Sequence, residues 1–366
     1  MAARLHFEAG KTTIPATNIT GTGTANQVAK FTGTQTIGNG LITDNGTSVW
    51  NTGAGSLITN AAFGNDALIA NTTGANNTAN GYQTLRTNTT GSSLVAIGYQ
   101  ALYSNTTGSS NVAIGQQSLY TNTTGSNNSG LGSDTLRSNT TGSNNTAIGL
   151  QSLFSNSTGS NNSAVGQYAL YTNTTGGTNT AVGKLALYLN TSGSNNAAFG
   201  YSSLEFNTTG ANLTAVGYQA LFSNTTGSNN TALGIQSLYT NSSGNNNIAQ
   251  GSFALYSNST GSQNVAIGYQ ALLSNTASNN IAIGYQALRL HTTGISNTAV
   301  GMESDSGNFS GSVILGRAAT ATADNQFVAG SASVNAGAVT TETVTVDKTW
   351  TVKINGIDYK IPIVAV

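Results

Sequence analysis

Residues Gly98-Tyr-Gln-Ala-Leu-Tyr-Ser-Asn-Thr-Thr-Gly-Ser-Ser-Asn-Val-Ala-Ile, closed by Gly115, hold the unit from which the chain is built. An apolar-Gly step of the Ala-Ile/Val-Gly kind places Gly at 64, 81, 98, 115, 132, 149, 166, 183, 200, 217, 234, 251 and 268, each 17 residues after the last. Steps of 16 and 17 reach Gly284 and Gly301, and steps of 15 and 14 reach Gly316 and Gly330. The 16-residue step has a visible cause, because Asn275-Thr-Ala-Ser-Asn279 lacks the glycine of Asn258-Ser-Thr-Gly-Ser262. A fixed period of this kind is the signature of stacked repeats, and 17 residues are too few for a helix pair or a propeller blade.

Within the unit, Val112-Ala-Ile114 and Ala101-Leu-Tyr103 alternate in character between Gly and Asn, which is strand patterning. Asn-Thr-Thr-Gly is turn chemistry, since Asn tolerates the left-handed region and Gly supplies positive φ. The spacing therefore predicts an all-β parallel β-solenoid of 17-residue coils, each with two short strands and two turns. Positions are counted from the coil's Gly. Leu recurs at +4, from Leu68 to Leu288; Ile, Val, Leu or Phe stands at −1 in most coils, and Ala at −2. Equal positions in stacked strands lie about 4.8 Å apart, so the Leu and Ile columns are expected to form the apolar core, with Asn and Thr forming hydrogen-bonding ladders. Asn80 and Gln250 break the −1 column, and their coils are expected to be weaker. One such coil buries too little to order itself, so the Ala column, on the other side of the strand, is expected to meet another copy of the chain.

Composition narrows the function. The chain has 366 residues with 11 Lys+Arg and 11 Asp+Glu, so 6% are charged, against about 25% in ordinary soluble domains. With no basic surplus, nucleic-acid binding is excluded. Without cysteine there is no disulfide framework. There is no run of about 18 apolar residues to span a membrane, and the start, Met1-Ala-Ala-Arg-Leu-His-Phe-Glu, with charges among its apolar residues, is not expected to act as a secretory leader. Six charges lie in 67–301: Arg86, Asp134, Arg137, Lys184, Glu205 and Arg289. Three regions follow: an N-terminal attachment region (1–60), the repeat shaft (61–337) and a β-hairpin tip (338–366). The tip is read from alternation in Lys348–Ile354 and Ile357–Val364 around Asn355-Gly356. Such a tip would cap the open end of a solenoid.

Catalytic chemistry is not legible. His6 and His291 are the only histidines, and His291 stands at a turn position held elsewhere by Asn, as a turn substitute. Glu303 and Asp305 read as solvated. Gly10-Lys-Thr12 lacks the upstream Gly of a phosphate loop, Leu5 standing in its place. Asn-x-Thr/Ser triplets at Asn71, Asn88, Asn105 and onward read as turn chemistry rather than glycan acceptors. No cofactor, no metal and no enzymatic activity is expected. One column suggests binding: Tyr103, Tyr120, Phe154, Tyr171, Tyr188, Phe222, Tyr239 and Tyr256 at +5, with Arg86, Arg137 and Arg289 interspersed. Aromatic and Arg side chains favour interfaces, so the stripe either meets a receptor or packs between subunits. Trp350 and Tyr359 are candidate tip residues.

Asn-Val-Ala-Ile-Gly at 111–115 and 264–268 resembles the head repeats of trimeric autotransporter adhesins. The long Asn-Thr-Thr-Gly-Ser-Asn-Asn variant, Gly23-Thr-Ala-Asn-Gln-Val-Ala-Lys-Phe-Thr-Gly33 through Asp44-Asn-Gly46, and Asn325-Gln-Phe-Val-Ala-Gly330 are similar to phage tail-fibre proteins. The resemblance implies a left-handed β-roll and a homotrimer. It further implies a virion tail fibre that meets a tail or baseplate protein at its N-terminal end and a host surface glycan or protein receptor at the other. The alternatives are a bacterial surface adhesin or extracellular filament subunit and, less favoured, an ice-binding solenoid. In the last, the adjacent threonines of each pair cannot both face one surface.

Overall fold

The structure is a computed structural model. It describes residues 59–330 throughout and, outside them, the backbones of five strands. Three of these form an antiparallel sheet in the order β1 (Gln27–Thr32), β2 (Thr36–Asp44) and β3 (Val49–Asn51). From β4 (Ala61–Phe63) to β20 (Phe327–Ala329), seventeen strands of three residues follow, one per coil. Each pairs in parallel with the strands of the coils before and after, in register: Ser163 with Thr180, Ala164 with Ala181, Val165 with Val182. The product is a β-solenoid of about sixteen turns, so the period read from the sequence is the period of the fold. Strands β21 (Lys348–Ile354) and β22 (Ile357–Ile363) form the expected antiparallel hairpin, Ile354 pairing with Ile357 around the Asn-Gly turn position. The attachment role of 1–60, the 331–337 end of the shaft and the tip's side chains lie outside the described residues.

The second expected strand is absent. Ala101-Leu-Tyr103 and its equivalents are turns, because Gln100 and Leu102 have φ of 55° and 50°, a pattern that recurs in almost every coil through Gln286 and Leu288. A side chain in the left-handed region costs about 1–2 kcal/mol per residue. Stacking offsets that cost. Alternate left-handed residues aim successive N–H groups in opposite directions along the axis, so Gln100 N donates to Tyr82 O of the coil before and Leu102 N to Ser118 O of the coil after. The anchor glycine is required for a different reason: Gly98 has φ of 129°, and a Cβ there would stand 2.6 Å from the Gly115 carbonyl oxygen.

The core also corrects the sequence reading. Leu at +4 is buried throughout, as expected, but the strand's inward residue is Ala at −2, and the Ile/Val column at −1 faces out. Where Leu fills +4 the inward strand residue is small, and the buried Ile314 takes the −2 place only in the shorter coils, which have Asp305 and Thr320 at +4 instead of Leu. Ala at −2 faces Ala, Ser or Thr at +3 across the interior, and one coil makes the tightness plain. Where Ser118 and Thr135 occupy +3, with their hydroxyls 2.7 Å apart, the inward strand residue shrinks to Gly130. The polar core is two columns of buried Asn. At +7, Asn105 Nδ2 donates to Asn88 Oδ1 at 2.8 Å and to Gly108 O at 2.9 Å, closing its own turn. At +13, Asn111 Oδ1 accepts from Asn128 N, and Asn111 Nδ2 donates to Gly125 O of the next coil. Buried amides are stable only when paired in this way.

Asn80 and Gln250 therefore do not weaken the core, since their position is outward and both are exposed. The breaks lie elsewhere: Leu94 and Leu213 replace Asn in the +13 column, each removing the acceptor that the next coil's Asn N–H would use. The 16-residue coil loses its residue in the turn, where Ala277 O replaces the Gly carbonyl and accepts from both Asn264 and Asn275. The Asn-to-Asn bond lengthens on the way there, from 2.8 Å at Asn241 to 3.1 Å at Asn258 and 3.4 Å at Asn275.

Candidate functional surfaces

Two exposed stripes run along the stack. The first is the corner that follows each anchor glycine. There the +5 residues form a file: Tyr103 and Tyr120 stack with ring centroids 5.1 Å apart, Phe154 and Tyr171 at 5.1 Å, Tyr171 and Tyr188 at 5.3 Å. Phe222, Tyr239 and Tyr256 continue it beyond Glu205, at 5.0 and 5.1 Å. Arg137 fills the gap between Tyr120 and Phe154, its guanidinium carbon 5.8 and 5.6 Å from the two ring centroids. Its Nε lies 3.3 Å from Asp134 Oδ1 and 3.2 Å from Gln117 Oε1. Arg86 starts the file by donating to the Tyr103 hydroxyl at 3.0 Å.

The eight aromatic candidates and Arg137 thus line one corner, half-buried, in the turn after Leu rather than on the far face of a strand. Within the file the rings face one another. Tyr168 and Phe253, at +2, press against it from the side. Burial pushes the Tyr239 hydroxyl's pKa up, with Tyr256, Tyr218 and Glu205 adding to the effect. Between the aromatic columns Gln side chains make their own ladder, Gln100 Nε2 donating to Gln83 Oε1 at 2.9 Å and Gln117 Nε2 to Gln100 Oε1 at 3.0 Å. Every charged residue from Asp66 to Glu303 sits on this corner, at +1, +2 or +5.

The second stripe, the strand face, escaped the sequence reading. At −1, Ile97, Ile148, Val165, Val182, Phe199 and Val216 are 37–41% exposed, and Leu131 is 49% exposed. Tyr82, Tyr99, Tyr201 and Tyr218 at +1 border them, 44–48% exposed. No coil from 64 to 330 carries a charge at −3 or −1. That gap in the charge pattern was the signal in the sequence for this face. Trp350 and Tyr359 share a face of the hairpin ladder by register, since Trp350 pairs with Ile361 and Tyr359 with Val352.

On the remaining edge, the first Thr of each pair is spent on the stack: Thr106 Oγ1 donates to Thr123 O at 3.0 Å, while Thr107 is exposed. His291 does replace Asn in its turn. It is fully buried, with Nε2 2.6 Å from Gly294 O and Nδ1 2.7 Å from Ser306 Oγ. A carbonyl only accepts, so Nε2 carries the proton and Nδ1 accepts from Ser306. Burial holds the His291 pKa below 6.5, against smaller upward pulls from the Gly294 bond and Asp305. Among the described residues no helix is long and apolar enough to cross a membrane, and no three His, Cys, Asp or Glu residues gather as metal ligands. No protein-family model and no curated protein matches the sequence.

Proposed function

We propose that the chain is the shaft of a homotrimeric fibre that holds a receptor-binding end away from a phage tail or a related injection device. The observation that carries this reading is the strand face: a column of exposed Ile, Val, Leu and Phe at −1, broken only at Asn80 and Gln250 before its last coil, with no charge at −1 or −3 in any coil. Monomeric proteins rarely expose contiguous apolar area on this scale, and a face that repeats with every coil suits another copy of the same repeat. This replaces the Ala column as the contact between copies. The resemblance to trimeric fibres sets the number at three. Sixteen steps of about 4.8 Å give a rod on the order of 75 Å long. Residues 1–60 are assigned to the particle and 338–366 to the distal tip, with the receptor a host surface glycan or protein.

Light scattering on the purified full chain tests the assembly. A trimer mass is expected, and a folded, monodisperse monomer overturns the reading. Immunogold labelling tests the location. Label at the tail of particles supports a fibre, whereas label on intact cells with none on particles moves the protein to a surface adhesin or filament, built on the same face.

A further inference from the structure

Among the described residues all but one of the Asn-x-Thr/Ser triplets fall into two columns, and the fold treats them oppositely. Twelve begin at +7, from Asn71 to Asn258. Their Asn is buried, 6% exposed at Asn71 and 0% in the others. The amide nitrogen is occupied as well: in Asn173, Nδ2 donates to Asn156 Oδ1 at 2.8 Å and to Gly176 O at 2.9 Å. To reach any enzyme, such an Asn would have to leave the seam and open its coil.

A second set begins one residue before the +13 column, at Asn76, Asn127, Asn144, Asn161, Asn212 and Asn229; Asn308, in a 15-residue coil, is a seventh exposed triplet that lies outside that column. All seven are exposed and all lie in the left-handed region, with φ of 57–67°. Asn is among the few side chains that tolerate this conformation. Asn212 Nδ2 donates to Asn229 Oδ1 at 3.1 Å; the other six have no hydrogen bond from Nδ2 among the described residues. The hydroxyl residue two places on is also reachable: Thr78, Ser129 and Ser163 are exposed, and Thr146, Thr214, Thr231 and Ser310 are half-exposed.

We propose that this outer Asn column is an acceptor site for N-linked sugar, and that the twelve seam triplets are sealed against it. The co-reactant is a sugar activated as a glycosyl diphosphate, bound by an asparagine-directed glycosyltransferase. Asn Nδ2 bonds to the anomeric carbon, the bond from that carbon to the diphosphate oxygen breaks, and the electron pair leaves on the diphosphate. One Nδ2 proton passes to a base of the transferase. The Ser or Thr at −3 that completes the triplet borders the proposed contact between copies, so transfer precedes assembly.

The test uses an asparagine-directed glucosyltransferase with UDP-glucose, chosen after it modifies synthetic peptides 103–113 and 140–150 equally well. The folded full chain is then treated and mapped by peptide mass spectrometry. Hexose is expected on Asn127, Asn144 and their column and absent from Asn105 and its column, and Thr146→Ala should remove it from Asn144 alone. After unfolding in urea and dilution into the reaction, both columns should accept. Hexose on the seam Asn of the folded chain, or none on the outer column, overturns the proposal.

Discussion

The two exposed stripes differ in what their apolar side chains have found. On the aromatic corner rings of successive coils stack on one another, and Arg137 fills one of the two places, the other being Glu205, where a ring is missing from the file. On the strand face Ile, Val and Phe stand in columns of the same spacing, yet aliphatic side chains 4.8 Å apart cover only part of one another, and about two-fifths of each remains open. The corner also holds the charges and the strand face none. Apolar content alone therefore does not mark the surface that needs a partner. A stacked column of flat rings is largely its own partner, whereas a column of branched side chains is not.

The contrast can be broken most forcefully on the strand face. Lys in place of Val165, Phe199 and Leu233, on alternate coils, puts three charges on the proposed contact while sparing nearest neighbours. Complete loss of self-association is expected in sedimentation velocity, with an unchanged circular dichroism spectrum. Retained association would return the contact to another face. On the corner the effect should have the opposite character. Tyr171→Ser with Tyr188→Ser removes stacking worth about 0.5–1.5 kcal/mol per ring pair. Thermal unfolding should move down by several degrees while the oligomeric mass stays the same.

A third measurement separates the stripes by position. The unfolded chain protonates His291 near pH 6.5, whereas the buried ring resists protonation until lower pH. Stability of the coils around Gly284–Gly316 should thus fall as pH drops from about 6.5 towards the lower folded value. Hydrogen exchange should quicken there and not around Tyr171, and His291→Asn should abolish the change. The smallest effect is expected at Arg137→Met, which keeps the bulk in the ring file and loses a cation–π term of about 0.5–1 kcal/mol at a half-exposed site.

The period, the anchor glycines, the Leu column and the hairpin were legible because each rests on residue types at fixed spacing. The orientation of the strand was not. Alternation along Val112-Ala-Ile114 establishes that Ala opposes its neighbours, but not which parity faces in. That is decided by the width of the interior, which Leu at +4 and two Asn columns have already filled. The left-handed residues were hidden for a related reason. Gln100 and Leu102 carry no mark of positive φ, and adopt it only because neighbouring coils capture their N–H groups. Gly130 did carry a signal, a missing methyl between two coils with hydroxyls at +3, which becomes readable once the positions that face each other are known.

The loosening of the Asn seam towards Asn275 has a mechanical consequence. Bonds between two successive coils act in parallel, and the coil-to-coil junctions act in series, so a pull along the rod loads every junction equally. Such a chain of links parts at its weakest one. Here that is the stretch from Asn258 to His291, where the amide bond reaches 3.4 Å, the coil is one residue short, and an imidazole ends the file. Tension would open the rod there and leave wound the earlier coils, whose +7 Asn file runs unbroken even where Leu94 and Leu213 interrupt the +13 column.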